Sequence, residues 1–352
     1  MHDIFLQTVI GGSTVDIVSL ISGNSAHKSN FLDSISEIKQ TSYIGKIRNS
    51  VGGVAQNLAR AAHFSGANTC FITAVGLDAQ ADWIFQDFSK IGMNTENILK
   101  IPDNNTAVCN TVHSPDGDLI VCVADTAIIE NITPEMIMTS LEKTSPDIAA
   151  FDANLSSEAI RATLEFCQKN NVTSVFQPTS LPKCIRLIDA IMSSSATVDI
   201  ITPNSLELDT MARYASDMGL LSNTYTIGLD TAMVKSIEML SELFRVQVVT
   251  MGKSGVLVAT KLDANSPLLS LFSVPPLQPA QIINTNGAGD SFVGAFLALL
   301  ANNSDTNTLK TNPFSATPQK LAEIAFKAQR ASILSLGSHS AISDKICPDL
   351  FQ

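Results

Sequence analysis

A carboxylate stands at the start of an apolar stretch in the C-terminal third of the chain. Asn284 to Phe292 reads NTNGAGDSF, and the apolar run VGAFLALL follows it. Apolar residues nearly all round predict a buried helix, and the free amides of its first turn form an anion site. Gly287, Ala288 and Gly289 let a ligand approach the backbone closely. Asp290 either caps this helix or takes a proton from an alcohol that attacks a phosphate.

A second group of residues, near the N-terminus, can hold hydroxyl groups. Asp16 follows the first predicted strand, Ile4 to Ile10, and a carboxylate can accept hydrogen bonds from two hydroxyls. Gly52 and Gly53 precede the predicted helix VAQNLARAAHF, where they let a polyol lie against the backbone with Asn57 facing it. The alternatives are a solvated loop acid at Asp16 and an ordinary tight turn at the two glycines.

Asn204 and Glu207 form a third candidate pair, in the stretch TPNSLEL that follows the predicted strand VDIIT. Their spacing places both side chains on one helical face. A carboxylate and an amide beside a phosphate site suit Mg²⁺ held largely through water. The alternative is an N-cap asparagine with a glutamate on the helix face.

One apparent motif fails its spacing test. Met251 to Ser254 reads MGKS, but a phosphate-binding P-loop needs a glycine five residues before Gly252, and Gln247 occupies that position. No dinucleotide-binding GxGxxG follows the first strand either. These two absences in the sequence disfavour a P-loop enzyme and a nucleotide-cofactor oxidoreductase.

Composition limits the function classes. The chain has 352 residues, 45% of them hydrophobic, and a net charge of −11. The hydrophobic content predicts a folded globule, and the charge argues against binding of nucleic acid or anionic membranes. The six scattered cysteines show no CxxC pair, so we expect reduced thiols in a cytoplasmic protein and no structural zinc. The N-terminus reads as a strand instead of a signal peptide, and no apolar run is long enough for a membrane span.

Strands and helices alternate along most of the chain. The clearest βα units start at strands Asp147 to Phe151, Val172 to Phe176 and Val198 to Thr202. Such repetition predicts a parallel sheet with helices on both faces and ligands beyond the carboxyl ends of its strands. Asn105 to Val123 interrupts the series with a hairpin pattern. The polar stretch Asn302 to Pro318 is expected to be a surface loop.

Together these residues resemble the ribokinase-like, or PfkB, family of carbohydrate kinases over nearly the whole chain. The matching stretches are GGVAQNLARAAHFSGANTCFITAVGLDAQADWI, NTNGAGDSFVGAFLALL, the NxxE element at Asn204 to Glu207, and a TxGxxG element at Thr250, Gly252 and Gly255. The resemblance implies one α/β kinase domain over residues 1–352. Its three-layer αβα core would have a mostly parallel central sheet, and residues of about 35–51 and 105–124 would form a small β lid.

The resemblance also implies roles for the candidate residues. Asp290 would be the base, and the amides of Gly287, Ala288 and Gly289 would hold the developing phosphate charge. Asn204 and Glu207 would tune Mg²⁺ and the phosphates. The ribose hydroxyls would lie against Asp16, Gly52, Gly53 and Asn57, and the nucleotide ATP against Thr250, Gly252 and Gly255, with the late helix AQRASILSLG near adenine.

Four finer stretches resemble pseudouridine kinases more closely than ribokinases or adenosine kinases. They are IGGSTVDI, GDLIVCVADTAIIENITPE, VFQPTSLPK and AQRASILSLGSHSAIS. The implied reaction is the transfer of a phosphoryl group from ATP to the 5′-hydroxyl of pseudouridine. The alternatives are a kinase for another nucleoside or for ribose, and a non-catalytic nucleoside sensor with the same fold.

One position departs from the family pattern. The general signature begins with Asp-Thr, and this chain has Asn284-Thr285. In relatives the acidic residue is linked with a monovalent-cation site, and asparagine keeps an oxygen ligand but loses the charge. This departure puts activation by K⁺ in doubt and leaves catalysis by Asp290 untouched. An exposed lid edge can pair with a second lid, so a homodimer through the lid is a further expectation.

Overall fold

Two β-sheets of different size organise the molecule. The computed structural model describes residues 6–22, 42–116, 118–194, 196–221, 232–261, 269–302 and 317–352. Within them the large sheet has nine strands: β1 (Leu6–Ile10), β4 (Asn68–Val75), β5 (Ile98–Lys100), β8 (Ile148–Asp152), β9 (Thr173–Gln177), β10 (Ile200–Ile201), β11 (Val246–Thr250), β12 (Val256–Lys261) and β13 (Leu269–Val274). The small sheet has four: β2 (Thr14–Ile21), β3 (Gly45–Gly52), β6 (Val108–His113) and β7 (Leu119–Asp125).

The large sheet is parallel except at one edge. Its spatial order is β13-β12-β11-β10-β9-β8-β1-β4-β5, and β12 and β13 are antiparallel to their neighbours. The central strand β8 is buried along its whole length, as expected for a parallel strand covered on both faces. The carboxyl ends of β1, β8, β9, β10 and β11 therefore meet along one edge of the sheet, where the βα loops gather.

Helices cover both faces of this sheet and give three layers. The described helices are α1 (Val54–Phe64), α2 (Ala79–Ile91), α3 (Ala127–Glu130), α4 (Pro134–Thr144), α5 (Ser157–Asn170), α6 (Arg186–Met192), α7 (Ser205–Asp217), α8 (Ala232–Leu240), α9 (Ala288–Ala301) and α10 (Pro318–Leu336). One hydrophobic cluster joins the sheet to α4–α8, and a second joins its other face to α1, α2, α9 and α10. Among the described residues, no helix is long and apolar enough to cross a membrane.

Local sequence explains several helix boundaries. Thr133 caps α4 by accepting a hydrogen bond from the Met136 amide, and Pro134 occupies the first turn. Helix α9 is buried on nearly every side because its residues are almost all apolar. Gly294 is required inside it, since a Cβ there would lie 2.6 Å from the Leu58 carbonyl oxygen of α1. The two helices therefore pack backbone to backbone and fix the position of Asp290 relative to α1.

The small sheet stands apart from the large one in the order β3-β2-β6-β7. The hairpin predicted at Asn105 to Val123 is confirmed as β6 and β7. Strand β2 is an addition to the predicted lid, because the first strand was predicted only over Ile4 to Ile10 and TVDIVSLI was not assigned to the lid. Part of the predicted lid, residues 35–41, lies outside the described residues, as do Ile4, Phe5 and residues 303–316 of the predicted surface loop.

Two predicted elements are shorter in the structure. The strand predicted at Val198 to Thr202 keeps only Ile200–Ile201, because Asp199 before it bonds to the Ser174 side chain and amide. The helix predicted in PKCIRLIDAIM begins at Arg186, after a turn in which the Cys184 amide donates to the Ser180 carbonyl. Both differences leave the order of the βα units as predicted.

Candidate active site

The predicted anion site lies at the first turn of α9. Gly287 caps the helix with φ 77°, and a Cβ there would lie 2.3 Å from the Ala341 carbonyl oxygen. Only glycine fits both the left-handed backbone and this contact. The next amides, of Ala288, Gly289 and Asp290, belong to the first turn and have no acceptor within the helix. The first turn thus leaves backbone amides free at the position where the sequence predicts an anion site, which stays a prediction.

Asp290 forms a pair with Asn57 of α1. The Asn57 Nδ2 atom donates to Asp290 Oδ2 at 2.8 Å. The pKa of Asp290 is raised to about 7: burial is the largest cause, the Asn57 hydrogen bond opposes it, and the charges of Asp152 and Glu207 add to it. A carboxyl with a pKa near neutrality can both accept and release a proton, which is the requirement for a general base.

The side-chain oxygen of Asn57 is available to a ligand. Its Oδ1 atom is buried and has no hydrogen-bond partner among the described residues, while its Nδ2 atom is engaged with Asp290. A buried acceptor without a partner costs roughly 1–3 kcal/mol unless a ligand supplies the donor. A substrate hydroxyl beside Asp290 can supply it.

Asp16 and the two glycines lie together next to Asn57. Asp16 is on β2, where it accepts a hydrogen bond from the Thr14 hydroxyl at 2.7 Å, and burial raises its pKa. A Cβ on Gly52 would lie 2.0 Å from the Asp16 carboxylate. Gly53 has φ 96°, and a Cβ there would lie 2.5 Å from the Gly12 carbonyl oxygen. Both glycines are therefore required by protein contacts, whether or not a polyol also lies there.

Asp152 is a central residue that was not predicted from the sequence. It ends β8, is fully buried, and burial raises its pKa. Its carboxylate accepts hydrogen bonds from the amides of Gly12 and Ala55, at 3.2 Å and 2.9 Å. Asp152 therefore joins the end of β1 to the first turn of α1. A buried acid at the end of an ordinary apolar strand has no sequence signal beyond its position.

Asn154 and Lys183 extend this polar cluster. Asn154 Nδ2 donates to Asp152 at 2.7 Å, and Lys183 Nζ donates to Asn154 Oδ1 at 2.7 Å. A Cβ on Gly12 would lie 2.7 Å from Asn154 Nδ2, so the cluster packs directly on the Gly12 backbone. Burial and the nearby Arg186 lower the pKa of Lys183. Lys183 lies in the stretch VFQPTSLPK, but neither its role nor that of Asn154 was predicted from the sequence.

A large cavity opens on the other side of the α9 start. Its volume is about 750 Å³, which is within the range of roughly 300–1,000 Å³ typical of small-molecule sites. Its lining includes the three residues predicted for the nucleotide, Thr250, Gly252 and Gly255, together with Ala288 and Gly289. Helix α10 contributes four residues to the lining, namely Gln329, Ser332, Ile333 and Leu336. These α10 residues belong to the stretch AQRASILSLG.

Asn204 and Glu207 lie near this cavity, and the side chain of each accepts a hydrogen bond from the backbone amide of the other. Asn204 accepts hydrogen bonds from the amides of Leu206 and Glu207, and Glu207 accepts one from the Asn204 amide at 2.9 Å, which is a capping box. Asn204 also pairs with Thr250 of the cavity wall. The alternative left open at this pair, an N-cap asparagine, is therefore present, although the cap does not use every lone pair of the Glu207 carboxylate.

The surroundings fit Mg²⁺ held indirectly. Glu207 and Asp152 both raise the pKa of Asp290, so three acidic side chains lie close enough to interact near the start of α9. In the described part of the chain, no group of three His, Cys, Asp or Glu side chains is placed to hold a metal ion directly. Mg²⁺ in phosphate sites keeps several waters and binds substrate phosphates with one or two carboxylates, and Glu207 can serve in that manner.

The side-chain oxygen of Asn284 accepts a hydrogen bond from a backbone amide two residues further along the chain. The Asn286 amide donates to Asn284 Oδ1 at 3.0 Å, and the Asn284 amide donates to the Leu336 carbonyl at 3.2 Å. The first of these bonds stabilises the turn that leads into Gly287. The doubt about K⁺ that the sequence raises stays a prediction.

Two curated proteins that are similar to this chain are named for pseudouridine. A pseudouridine-metabolizing bifunctional protein of Schizosaccharomyces pombe is 26% identical over 292 residues, which are 71% of this chain and 38% of that protein. A pseudouridine kinase of Arabidopsis thaliana is 26% identical over 318 residues, which are 77% of this chain and 82% of that one. The chain thus spans about two fifths of the first relative and most of the second.

The fold comparison gives the same class of protein. The structure of ribokinase from Giardia lamblia matches with a TM-score of 0.75 and 19% identity, covering 99% of this chain and 98% of that one. This likeness shows the ribokinase fold, and so confirms the predicted α/β core with its separate small sheet. A model of the pfkB family of carbohydrate kinases matches residues 26–346. The chain therefore belongs to the PfkB family of carbohydrate kinases, which transfer a phosphoryl group to an alcohol.

Proposed function

We propose that this protein is an ATP-dependent kinase for the 5′-hydroxyl of pseudouridine. The observation that carries the proposal is the position of the Asp290–Asn57 pair. It lies between the residues that can hold ribose hydroxyls and the cavity whose wall includes the first turn of α9. Phosphoryl transfer to an alcohol requires a base, an anion site and a cavity for the nucleotide. These three features adjoin one another here.

The chemical step follows from these parts. Asp290 takes the proton of the 5′-hydroxyl, and the oxygen attacks the γ-phosphorus of ATP in line with the bond to ADP. That bond breaks as the new one forms, and the amides of Gly287, Ala288 and Gly289 stabilise the charge on the transferring group. Asn57 orients the Asp290 carboxylate through its Nδ2 atom and accepts a substrate hydroxyl at Oδ1.

Bound with ATP, Mg²⁺ supplies charge neutralisation of the phosphates. Glu207 is the residue that would hold its water shell, with Asn204 fixing the Glu207 carboxylate through the capping box. A cation held by Glu207 would favour the ionised form of Asp290. K⁺ is not part of the proposal, because the Asn284 oxygen is engaged in its own turn.

The choice of pseudouridine has two supports. Two of the matched relatives are named for pseudouridine. In addition, Lys183 offers an ammonium whose partner Asn154 packs on Gly12, next to Gly53 and α1. We propose that Lys183 donates to a carbonyl oxygen of the uracil ring. A kinase for free ribose has no base to receive this donor, and the matched Giardia structure carries the name ribokinase, so ribose is the second candidate.

We further propose that the small sheet acts as a lid and as a dimer contact of a single kinase domain. Three apolar side chains on one of its faces are exposed, namely Ile47 (71%), Val121 (46%) and Val123 (65%). Strand register places Ile47 and Val121 in one row across the sheet, with Val123 in the next row of the same face. A second copy of this sheet would cover them. The opposite face carries Asp16.

A substrate panel tests the proposal. Purified protein with MgATP is offered pseudouridine, uridine, adenosine, inosine and ribose, and release of ADP is followed for each. We expect the largest kcat/KM with pseudouridine. Equal or greater kcat/KM with uridine or ribose would reject pseudouridine as the substrate, and binding of a nucleoside without ADP release would favour the sensor.

A further inference from the structure

Two cysteines meet on the small sheet. Cys109 of β6 and Cys122 of β7 have their Sγ atoms 3.4 Å apart. Cys109 lies opposite Ala124 and Cys122 lies opposite Thr111, so the thiols are diagonal neighbours on one face of the sheet. Cys122 is exposed and Cys109 is half-buried. The two thiols form a pair that a reagent in solution can reach through Cys122.

This pair adjoins the proposed substrate site. Asp16 of β2 is the residue directly opposite Cys109 across the next strand pair, so Asp16 and both thiols share one face. The pKa of Cys109 is raised to about 12, first by burial, then by its contact with Cys122, and also by the charge of Asp16. The Asp16 carboxylate and the Cys109 sulfur therefore influence each other, and a change at one alters the surroundings of the other.

We propose that Cys109 and Cys122 form a redox-active dithiol that closes to a disulfide by exchange with a low-molecular-weight disulfide and thereby weakens binding of the ribosyl substrate. The formation of the disulfide stands on the geometry alone. Its effect on substrate binding rests on the proposed function, because it requires Asp16 to hold the ribose hydroxyls.

The exchange balances without a further reactant. The exposed Cys122, as its thiolate, attacks one sulfur of the disulfide RSSR, which forms a Cys122–SR mixed disulfide and releases RS⁻. The Cys109 sulfur then attacks Cys122 Sγ, the bond to SR breaks, and a second RS⁻ leaves. The two protein thiol protons pass to the two released thiolates. The protein dithiol is oxidised, and RSSR is reduced to two RSH.

Closing the bond moves the strand that lies against Asp16. Diagonal neighbours in a sheet have Cα atoms about 7–8 Å apart, whereas a disulfide joins Cα atoms at about 4.4–6.8 Å. The bond therefore draws β6 and β7 together at Cys109 and Cys122. Because the Cys109 backbone pairs with β2 at Asp16, the shift acts directly on the residue proposed to bind ribose.

The test compares the full chain with two of its cysteine variants, one of which is the control. Wild type, Cys122→Ser and Cys347→Ser are incubated with reduced glutathione alone or with excess oxidised glutathione. Free thiols are blocked, and the protein is digested and mapped by mass spectrometry. Cys347 is exposed and lies on the C-terminal segment, so its variant is the matched control. KM and kcat are measured in parallel with the panel compound that the reduced protein phosphorylates fastest.

We expect a peptide linked through Cys109 and Cys122 in wild type and Cys347→Ser, and none in Cys122→Ser. With the link, KM for the ribosyl substrate rises by about fivefold or more, within the range typical of coupled sites, and dithiothreitol reverses it. Absence of the link under conditions that modify Cys347 overturns the proposal, as does a link that leaves KM unchanged. Failure to phosphorylate pseudouridine in the reduced state would overturn the substrate assignment instead, and the peptide map would still decide the disulfide.

Discussion

Replacing Asp290 by asparagine should abolish most turnover and at the same time stabilise the fold. The pKa of Asp290 is raised from 3.8 to about 7, with burial as the largest cause. Each pKa unit corresponds to about 1.36 kcal/mol, so a shift of roughly three units sets an upper bound of about 4 kcal/mol on the cost of ionising Asp290 in the folded protein. Asp290 as a whole residue is only half-buried, so solvent screens part of its charge, and we expect a gain of about 1–3 kcal/mol for Asp290→Asn near pH 8.

The sign of the pH dependence follows from the direction of the shift. A carboxyl whose folded-state pKa exceeds its unfolded value binds its proton more tightly in the folded state, so ionisation opposes folding. The cost is absent below about pH 4, grows up to about pH 7 and is constant above that. Asparagine does not ionise, so the stability difference between variant and wild type should increase over this interval.

Urea denaturation of both proteins at about pH 4 and about pH 8 measures this difference. Asp103→Asn is the matched control, because Asp103 is exposed and has φ 61°, which asparagine also adopts. Turnover at saturating substrate should fall by roughly 10²–10⁴ in Asp290→Asn and stay unchanged in the control. Equal stability differences at the two pH values would refute the electrostatic argument, and near-normal turnover would remove Asp290 from the mechanism.

Four further substitutions test other parts of the account. Glu207→Gln should raise the Mg²⁺ concentration needed for half-maximal activity, and an unchanged Mg²⁺ titration would contradict a role of Glu207 near the metal. Asn284→Asp should strengthen dependence on K⁺, which identical K⁺ titrations of variant and wild type would refute. Lys183→Met should raise KM for pseudouridine by about tenfold, which corresponds to a loss of about 1.4 kcal/mol of binding free energy, and should leave KM for ribose unchanged. Equal changes of KM for both compounds would show that Lys183 does not contact the base. Ile47→Asp should shift the sedimentation of the protein from dimer to monomer, and an unaltered sedimentation coefficient would exclude this face as the contact.

The sequence predicted the αβα core because its signals are local. Helix α9, whose first turn contains Asp290, follows from one apolar run, and the parallel sheet follows from repeated βα units. The four-stranded lid was predicted only in part. Its strand β2 follows β1 after a gap of three residues, Gly11 to Ser13, and no helix or charge run marks the change of sheet.

Residues of the candidate site were predicted where small residues or a characteristic spacing mark them in the sequence. They were missed where only contacts in the folded protein bring them together. Asp152 and Asn154 follow an ordinary buried strand, and their importance arises from amides and a lysine that the fold brings in from distant segments. Asn204 and Glu207 show the opposite problem. The pattern N-x-x-E fits both a metal-linked pair and a capping box, and the structure contains the capping box.

We propose that Asp290 directs the γ-phosphoryl group of ATP onto the 5′-hydroxyl of pseudouridine. The most direct measurement is identification of the product by phosphorus NMR and mass spectrometry after incubation of the protein with pseudouridine and MgATP. We predict one molecule of pseudouridine 5′-phosphate for each molecule of ADP, and no such product with Asp290→Asn over the same period. ADP release without a phosphorylated nucleoside, or a phosphate on another hydroxyl, would contradict the claim.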